Sequence, residues 1–258
     1  MPAALFGLTF ACIALAHADF RLANAFFYDA PAHTWIGAHA WWANELIHKG
    51  GRDLVASIAA TALLVYLASW CVPRWRHARS DAGYVVLAIA LGTGLVGLLK
   101  QLTHMDCPWS LTNFGGPHVF VGLFAFRPAG TAHAACFPGA HSSAGFALMC
   151  FYFVFRDRAP RAAGAFLAVG VLAGAVFAFG QEARGAHFLS HDVASAAVVW
   201  FAQLAAYALR ARGTAAPTRA VERGPASGYF LNKESSVDRA ACSAVSPAGS
   251  NALGVGLK

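Results

Sequence analysis

Six apolar runs, set apart by short polar stretches, constrain this chain more than any other feature. They occupy residues 3–16, 54–72, 83–99, 142–155, 163–180 and 193–209. A helix needs about 20 apolar residues to cross the hydrocarbon core, so the runs predict an all-α integral membrane bundle of about six transmembrane helices. Composition agrees: 58% of the 258 residues are hydrophobic and 12% charged, where a water-soluble domain carries about a quarter charged. No Lys or Arg precedes the first run, so it reads as a retained span and not a cleaved signal peptide.

The charge balance orients the bundle. Nineteen Lys and Arg stand against twelve Asp and Glu, a formal +7. In a membrane protein that excess belongs to cytoplasmic loops, which argues against a nucleic-acid partner. The clusters Arg74, Arg76, Arg79; Arg156, Arg158, Arg161; and Arg210, Arg212, Arg219, Arg223 fall in alternate connections. The positive-inside rule places all three in the cytoplasm, with both termini, and leaves 18–53, 100–141 and 181–192 outside. The expected location is the cell inner membrane, multi-pass, with residues 1–210 as the membrane domain. Residues 211–258 lack any helical or strand period and read as a disordered cytoplasmic tail. No repeat of about 20 to 50 residues and no Walker-type phosphate loop is present.

The outer segments hold the polar chemistry. Ten of the eleven histidines fall there or at the outer ends of spans, His77 being the exception. Ionisable groups in a membrane chain usually mark a site, although outer loops are also simply the polar part of such a chain. Residues 34–50 combine Trp35, Trp41 and Trp42 with Asn44, Glu45, His48 and Lys49. That pattern suits either an amphipathic helix at the headgroup level or a hairpin lid over the bundle. His104, His118 and His133 read as polar surface residues. Of the six cysteines, Cys107 and Cys136 share one outer loop. An oxidising compartment would let them pair, and the reduced alternative stays open.

Three segments at outer span ends carry residues suited to phosphoryl transfer. They are KQLTHMDCPW from Lys100, CFPGAHSS from Cys136, and QEARGAHFLSHD from Gln181. Between them they supply the cations Lys100 and Arg184, the imidazoles His141 and His187, and the carboxylate Asp192. A transferring phosphoryl group needs cations on its equatorial oxygens, a nucleophile in line and an acid for the leaving oxygen.

In order, separation and position, these segments resemble the three-part signature of the phosphatidic acid phosphatase type 2 superfamily of membrane phosphatases. That signature runs Lys-x6-Arg-Pro, Pro-Ser-Gly-His, and Ser-Arg-x5-His-x3-Asp, and the resemblance covers about residues 50–210. The chain departs from it at several positions. Cys107 stands for the arginine before Pro108, and Gly139 and Ala140 replace Ser-Gly between Pro138 and His141. Ser142 or Ser143 would then provide the phosphate-binding hydroxyl. Gln181 occupies the arginine position of the third segment with Arg184 one turn nearer, and His191 falls where Asp is expected with Asp192 one residue late. A divergent bacterial branch with a Cys-Pro-Trp first motif and an Arg-Gly-Ala-His-Phe-Leu-Ser-His-Asp third motif is more similar still.

The resemblance implies that His187 attacks phosphorus, Asp192 orients it, and His141 protonates the leaving oxygen and then activates water. Lys100, Arg184 and Ser142 would bind phosphate, and neither a metal nor a cofactor is implied. The substrate class it suggests is a lipid phosphate or diphosphate presented by the bilayer: undecaprenyl diphosphate, phosphatidate, phosphatidylglycerophosphate or a lipid A phosphate. The active site would face the periplasm. A lipid phosphotransferase using the same intermediate is the nearest alternative. Others are a metal site built on His187, His191 and Asp192, since residues four apart share a helix face, and a non-catalytic lipid-binding protein.

Overall fold

In a computed structural model the described residues are 1–123, 125–126 and 134–221, with side chains described as far as 212. Among the described residues the chain is helical, with one hairpin of two-residue strands. It runs α1 (Pro2–Leu15), α2 (Ala18–Leu22) continuing as a π-helical turn to Phe27, β1 (Tyr28–Asp29) and β2 (Thr34–Trp35). A wide-wound helix, Trp42–Gly50, leads without a break into α3 (Gly51–Cys71). Then follow α4 (Arg79–Thr103), α5 (Ala140–Ala147), α6 (Cys150–Phe155), α7 (Pro160–Ala183) and α8 (Leu189–Val221).

All six apolar runs are helical. Four stretches are long and apolar enough to cross a bilayer: Trp42–Cys71, Pro73–Ser110, Pro160–Ala183 and Leu189–Arg212. The pair Pro2–Leu15 and Ala18–Phe27, bent by 66°, adds a fifth. The run expected as a fourth span is the shorter stretch Ala140–Phe155, interrupted between α5 and α6. At 1.5 Å per residue it reaches only about 24 Å of the roughly 30 Å core. The helix α8 passes beyond 210 to Val221; the rest of the expected tail, and His133, lie outside the described residues.

The bundle is held by small residues as much as by large ones. In lipid, close helix approach replaces the hydrophobic drive available in water. A β-carbon on Gly145 would come within 2.7 Å of the Ala173 backbone, so α5 and α7 meet almost backbone to backbone. Tyr84, Val85, Ala88 and Ile89 of α4 pack with Cys150, Phe153 and Ala206 into a buried cluster. Buried polar groups are tied across helices: Gln203 Nε2 donates to the Ala147 carbonyl at 2.7 Å, and the Tyr84 hydroxyl to that of Gln203 at 3.2 Å. Exposed side chains such as Leu64, Leu67, Leu98 and Leu172 present an apolar outer surface.

The two ends of the bundle differ chemically. At one, Arg158 and Arg210 both pair with Asp81, joining the α6–α7 connection and α8 to the start of α4. At the other, Trp35 of the hairpin is buried with Tyr28, Phe114, Ala183 and Phe188. Residues 34–35 close a hairpin with 28–29, and Trp42–Gly50 is helical but runs straight into α3 as one apolar stretch.

Candidate active site

A helix stop places the central residue. At the end of α7, Gly185 adopts φ +72°, its N–H bonds the Glu182 carbonyl at 2.9 Å, and the Ala186 N–H bonds that of Gln181 at 2.9 Å. This is a Schellman closure, which favours glycine because a β-carbon clashes in the left-handed region. A β-carbon there would also enter the Trp35 ring. The Gly185 carbonyl accepts from the Trp109 N–H at 2.9 Å, tying the first segment to the third. The chain leaves this turn with His187 directed into the bundle, one residue before the Phe188 turn that begins α8.

His187 and Asp192 then meet. Nδ1 of His187 donates to Asp192 Oδ1 at 2.7 Å, and the two side chains are 5% and 2% exposed. With Nδ1 engaged, Nε2 is left for chemistry. Burial, followed by the cations Lys100 and Arg184, holds the imidazole neutral well below its ordinary range. Gly139 closes the arrangement from the second segment: a β-carbon on it would lie 2.6 Å from both Asp192 Oδ1 and His187 Nδ1. Glu182, given no role from sequence, lies against Asp192.

A cavity of about 660 Å³ opens onto His187, lined also by Lys100, Arg184, His141, Gln181 and Cys107. The three sequence segments thus converge. The Arg184 Nη1 donates to Gln181 Oε1 at 3.0 Å, while Gln181 Nε2 donates to His48 Nδ1 at 2.9 Å. The substituted glutamine therefore holds the nearby arginine and brings in a histidine from the helix before α3. His48 and His141 lie with ring centroids 4.5 Å apart. His141 stacks on Phe177 at 4.8 Å and donates Nε2–H to the Ile47 carbonyl at 3.3 Å, leaving Nδ1 as its other nitrogen. Cys107 and Cys136 form a disulfide, with Cα atoms 5.2 Å apart, and Thr103 donates to the Phe137 carbonyl, so the first two segments are joined twice.

Some expected residues sit elsewhere. Ser142 is fully buried off the cavity wall, its hydroxyl donating to the Gly139 carbonyl at 3.0 Å; Ser143 likewise donates to Ala140 at 2.6 Å. Both hydroxyls bond back to carbonyls at the start of α5, and that of Ser142 also meets the Asp192 carboxylate, so neither is placed as a phosphate ligand. His191 is fully buried, packed edge-on against Phe137 and Phe188, and does not line the cavity. Its ring lies 6.1 Å from that of His187, and among the described residues no three His, Cys, Asp or Glu side chains are grouped to hold a metal ion. The shared-face argument for a His187, His191, Asp192 ligand set fails because His187 precedes the helix. His118, expected on the surface, lines the cavity with Asp106. Sequence reading named Gln181 at the arginine position of the third segment but gave His48 no site role; the signal for their pairing was only their place in histidine-bearing outer segments.

Comparison with known proteins gives a consistent picture. The sequence pattern defining the PAP2 superfamily matches residues 81–214. A similar solved structure is the transmembrane PAP2-type phosphatidylglycerolphosphate phosphatase from Bacillus subtilis, with a TM-score of 0.51 and 13% identity over 82% of this chain and 94% of that one. No curated protein matches the sequence.

Proposed function

The chain belongs to the PAP2 superfamily, and from that premise we propose that it is a metal-independent membrane phosphatase releasing phosphate from a lipid phosphate or diphosphate. The observation that carries this reading is the buried His187–Asp192 pair at the cavity, with Lys100 and Arg184 on the same wall.

Each step falls to a residue of the chain. Lys100 and Arg184 bind the phosphoryl oxygens, the first as a point charge and the second as a planar fork. Nε2 of His187 attacks phosphorus as the bond to the lipid oxygen breaks, giving a phosphohistidine. Asp192 keeps the proton on Nδ1 and balances the charge that the ring gains. The phosphate dianion brings the charge that lets His141 hold a second proton; this imidazolium keeps Nε2–H on the Ile47 carbonyl, passes Nδ1–H to the leaving oxygen and becomes neutral. It then takes a proton from the water that cleaves the N–P bond.

That the Arg-rich connections and the cavity belong to opposite ends of the helices supports, by the positive-inside rule, a cavity on the outer face, the periplasmic side of an inner membrane. A site at that depth suits a phosphate in the headgroup layer whose chains stay in lipid.

The test is phosphate release by detergent-purified protein in EDTA from phosphatidate, phosphatidylglycerophosphate, undecaprenyl diphosphate and lipid A, wild type beside His187→Ala. Release by the wild type alone supports the reading and identifies the substrate. Equal release by both removes His187 as nucleophile, and release abolished by EDTA removes the metal-free mechanism. Transfer to an added acceptor lipid without phosphate release would make the protein a phosphotransferase.

A further inference from the structure

The cavity contains a second histidine–carboxylate pair. His118 Nδ1 donates to Asp106 Oδ1 at 2.7 Å; the carboxylate is 4% exposed and the imidazole 30%. Both line the cavity that holds His187, Lys100 and Arg184.

The pair is built in, not loosely placed. The loop carrying His118 is closed by its own backbone: Thr112 N–H to the His118 carbonyl at 2.7 Å, His118 N–H to that of Ser110 at 2.9 Å, and Gly116 N–H to that of Leu111 at 2.8 Å. Leu111 and Phe114 anchor it in the buried cluster under the hairpin. Gly115 takes φ +81°, and a β-carbon on Gly116 would collide with the Ser110 backbone, so the tight return depends on two glycines. His118 is held at its base by the fold and at its ring by Asp106.

Its position bears on a missing hydrogen-bond donor. The family signature has an arginine where this chain has Cys107, and that sulfur is used in the disulfide with Cys136. The site loses that side chain's donors there, and Asp106, the adjacent residue, holds an imidazole at the cavity. Given the phosphatase reading on which this rests, we propose that His118 is a phosphate-binding residue that replaces the missing arginine, and that Asp106 is its positioning residue. With Nδ1 held by Asp106, the ring offers Nε2 as its hydrogen-bonding atom toward a phosphoryl oxygen.

The experiment measures phosphate binding apart from turnover. Thermal stabilisation of the detergent-purified protein by inorganic phosphate is compared for wild type, His118→Ala, His118→Arg and Asp106→Asn, with phosphatidate kinetics in mixed micelles alongside. Loss of a charge-assisted contact is expected to raise the half-saturating phosphate concentration about tenfold in His118→Ala and to raise KM more than it lowers kcat. His118→Arg restores most of the binding. Asp106→Asn weakens it. Wild-type binding by a folded His118→Ala, or failure of a folded His118→Arg to recover it, overturns the proposal while leaving the phosphatase reading intact. A wild-type protein that phosphate does not stabilise and that releases none from any lipid overturns both.

Discussion

Gly139 and Asp192 approach so closely that a β-carbon on the glycine would lie 2.6 Å from the carboxylate Oδ1. The related signature has serine at this position. In this chain, glycine is what allows the second segment to close over the His187–Asp192 hydrogen bond.

Replacing Gly139 by Ala or Ser is therefore expected to push the pair apart, even though serine is the family's residue. A misplacement of about 1 Å costs roughly a hundredfold in rate. We expect kcat for lipid phosphate hydrolysis to fall by about that factor in Gly139→Ser, with little change in melting temperature. Undiminished activity would show that the pair has room to adjust.

Asp192→Asn preserves size but offers an amide where a carboxylate held Nδ1–H. The ring is then free to present a protonated Nε2, which cannot attack. We expect a loss of about a thousandfold or more in kcat, by analogy with the equivalent change in hydrolytic triads. Steady-state kinetics beside Asp192→Ala checks this: near-wild-type turnover by either variant would assign the orienting role elsewhere.

Burial and the Lys100 and Arg184 cations lower the His187 pKa. A lowered value extends the neutral, nucleophilic form toward acid, so His187 is expected to remain neutral at about pH 5, where an ordinary histidine is charged. Nitrogen-labelled histidine spectra in detergent micelles test this directly, with the signal assigned by its loss in His187→Gln. An imidazolium signal for that residue at pH 5 contradicts the expectation.

Gly185→Ala strains the chain where α7 stops. The left-handed backbone costs about 1–2 kcal/mol for a residue with a β-carbon, and the Trp35 ring must also move. Lower thermal stability and loss of activity are expected together, because the same turn delivers His187. A variant that melts like the wild type would mean that Trp35 repacks without strain.

Much was legible along the chain because it depends on local order. Apolar run length predicted a membrane bundle, and spacing within three segments singled out Lys100, His141 and His187, with Arg184 one turn off the expected position; all four line one cavity. Span count was less legible: run length alone does not show that α5 and α6 break, or that α1 and α2 bend by 66°.

The choice between His191 and Asp192 was also beyond local reading. Helical spacing favours the residue four positions on, but His187 lies before α8 begins, so that spacing does not apply. The turn through Phe188 brings Asp192 back to the imidazole and sends His191 into the core. Ser142, in turn, has its hydroxyl taken up by the Gly139 carbonyl and the Asp192 carboxylate.

The sequence by itself determined the solvent this chain folds in, the family it belongs to and the segments that carry its chemistry, because hydropathy and motif spacing are properties of neighbours along the chain. Only the tertiary structure decided which groups meet: His48 with Gln181, 133 residues apart, and the Ile47 carbonyl with His141, 94 apart. His118 joined Asp106 by the folding of one loop. Such pairings follow from helix packing and from the requirement that buried polar groups find partners, and no local pattern records either.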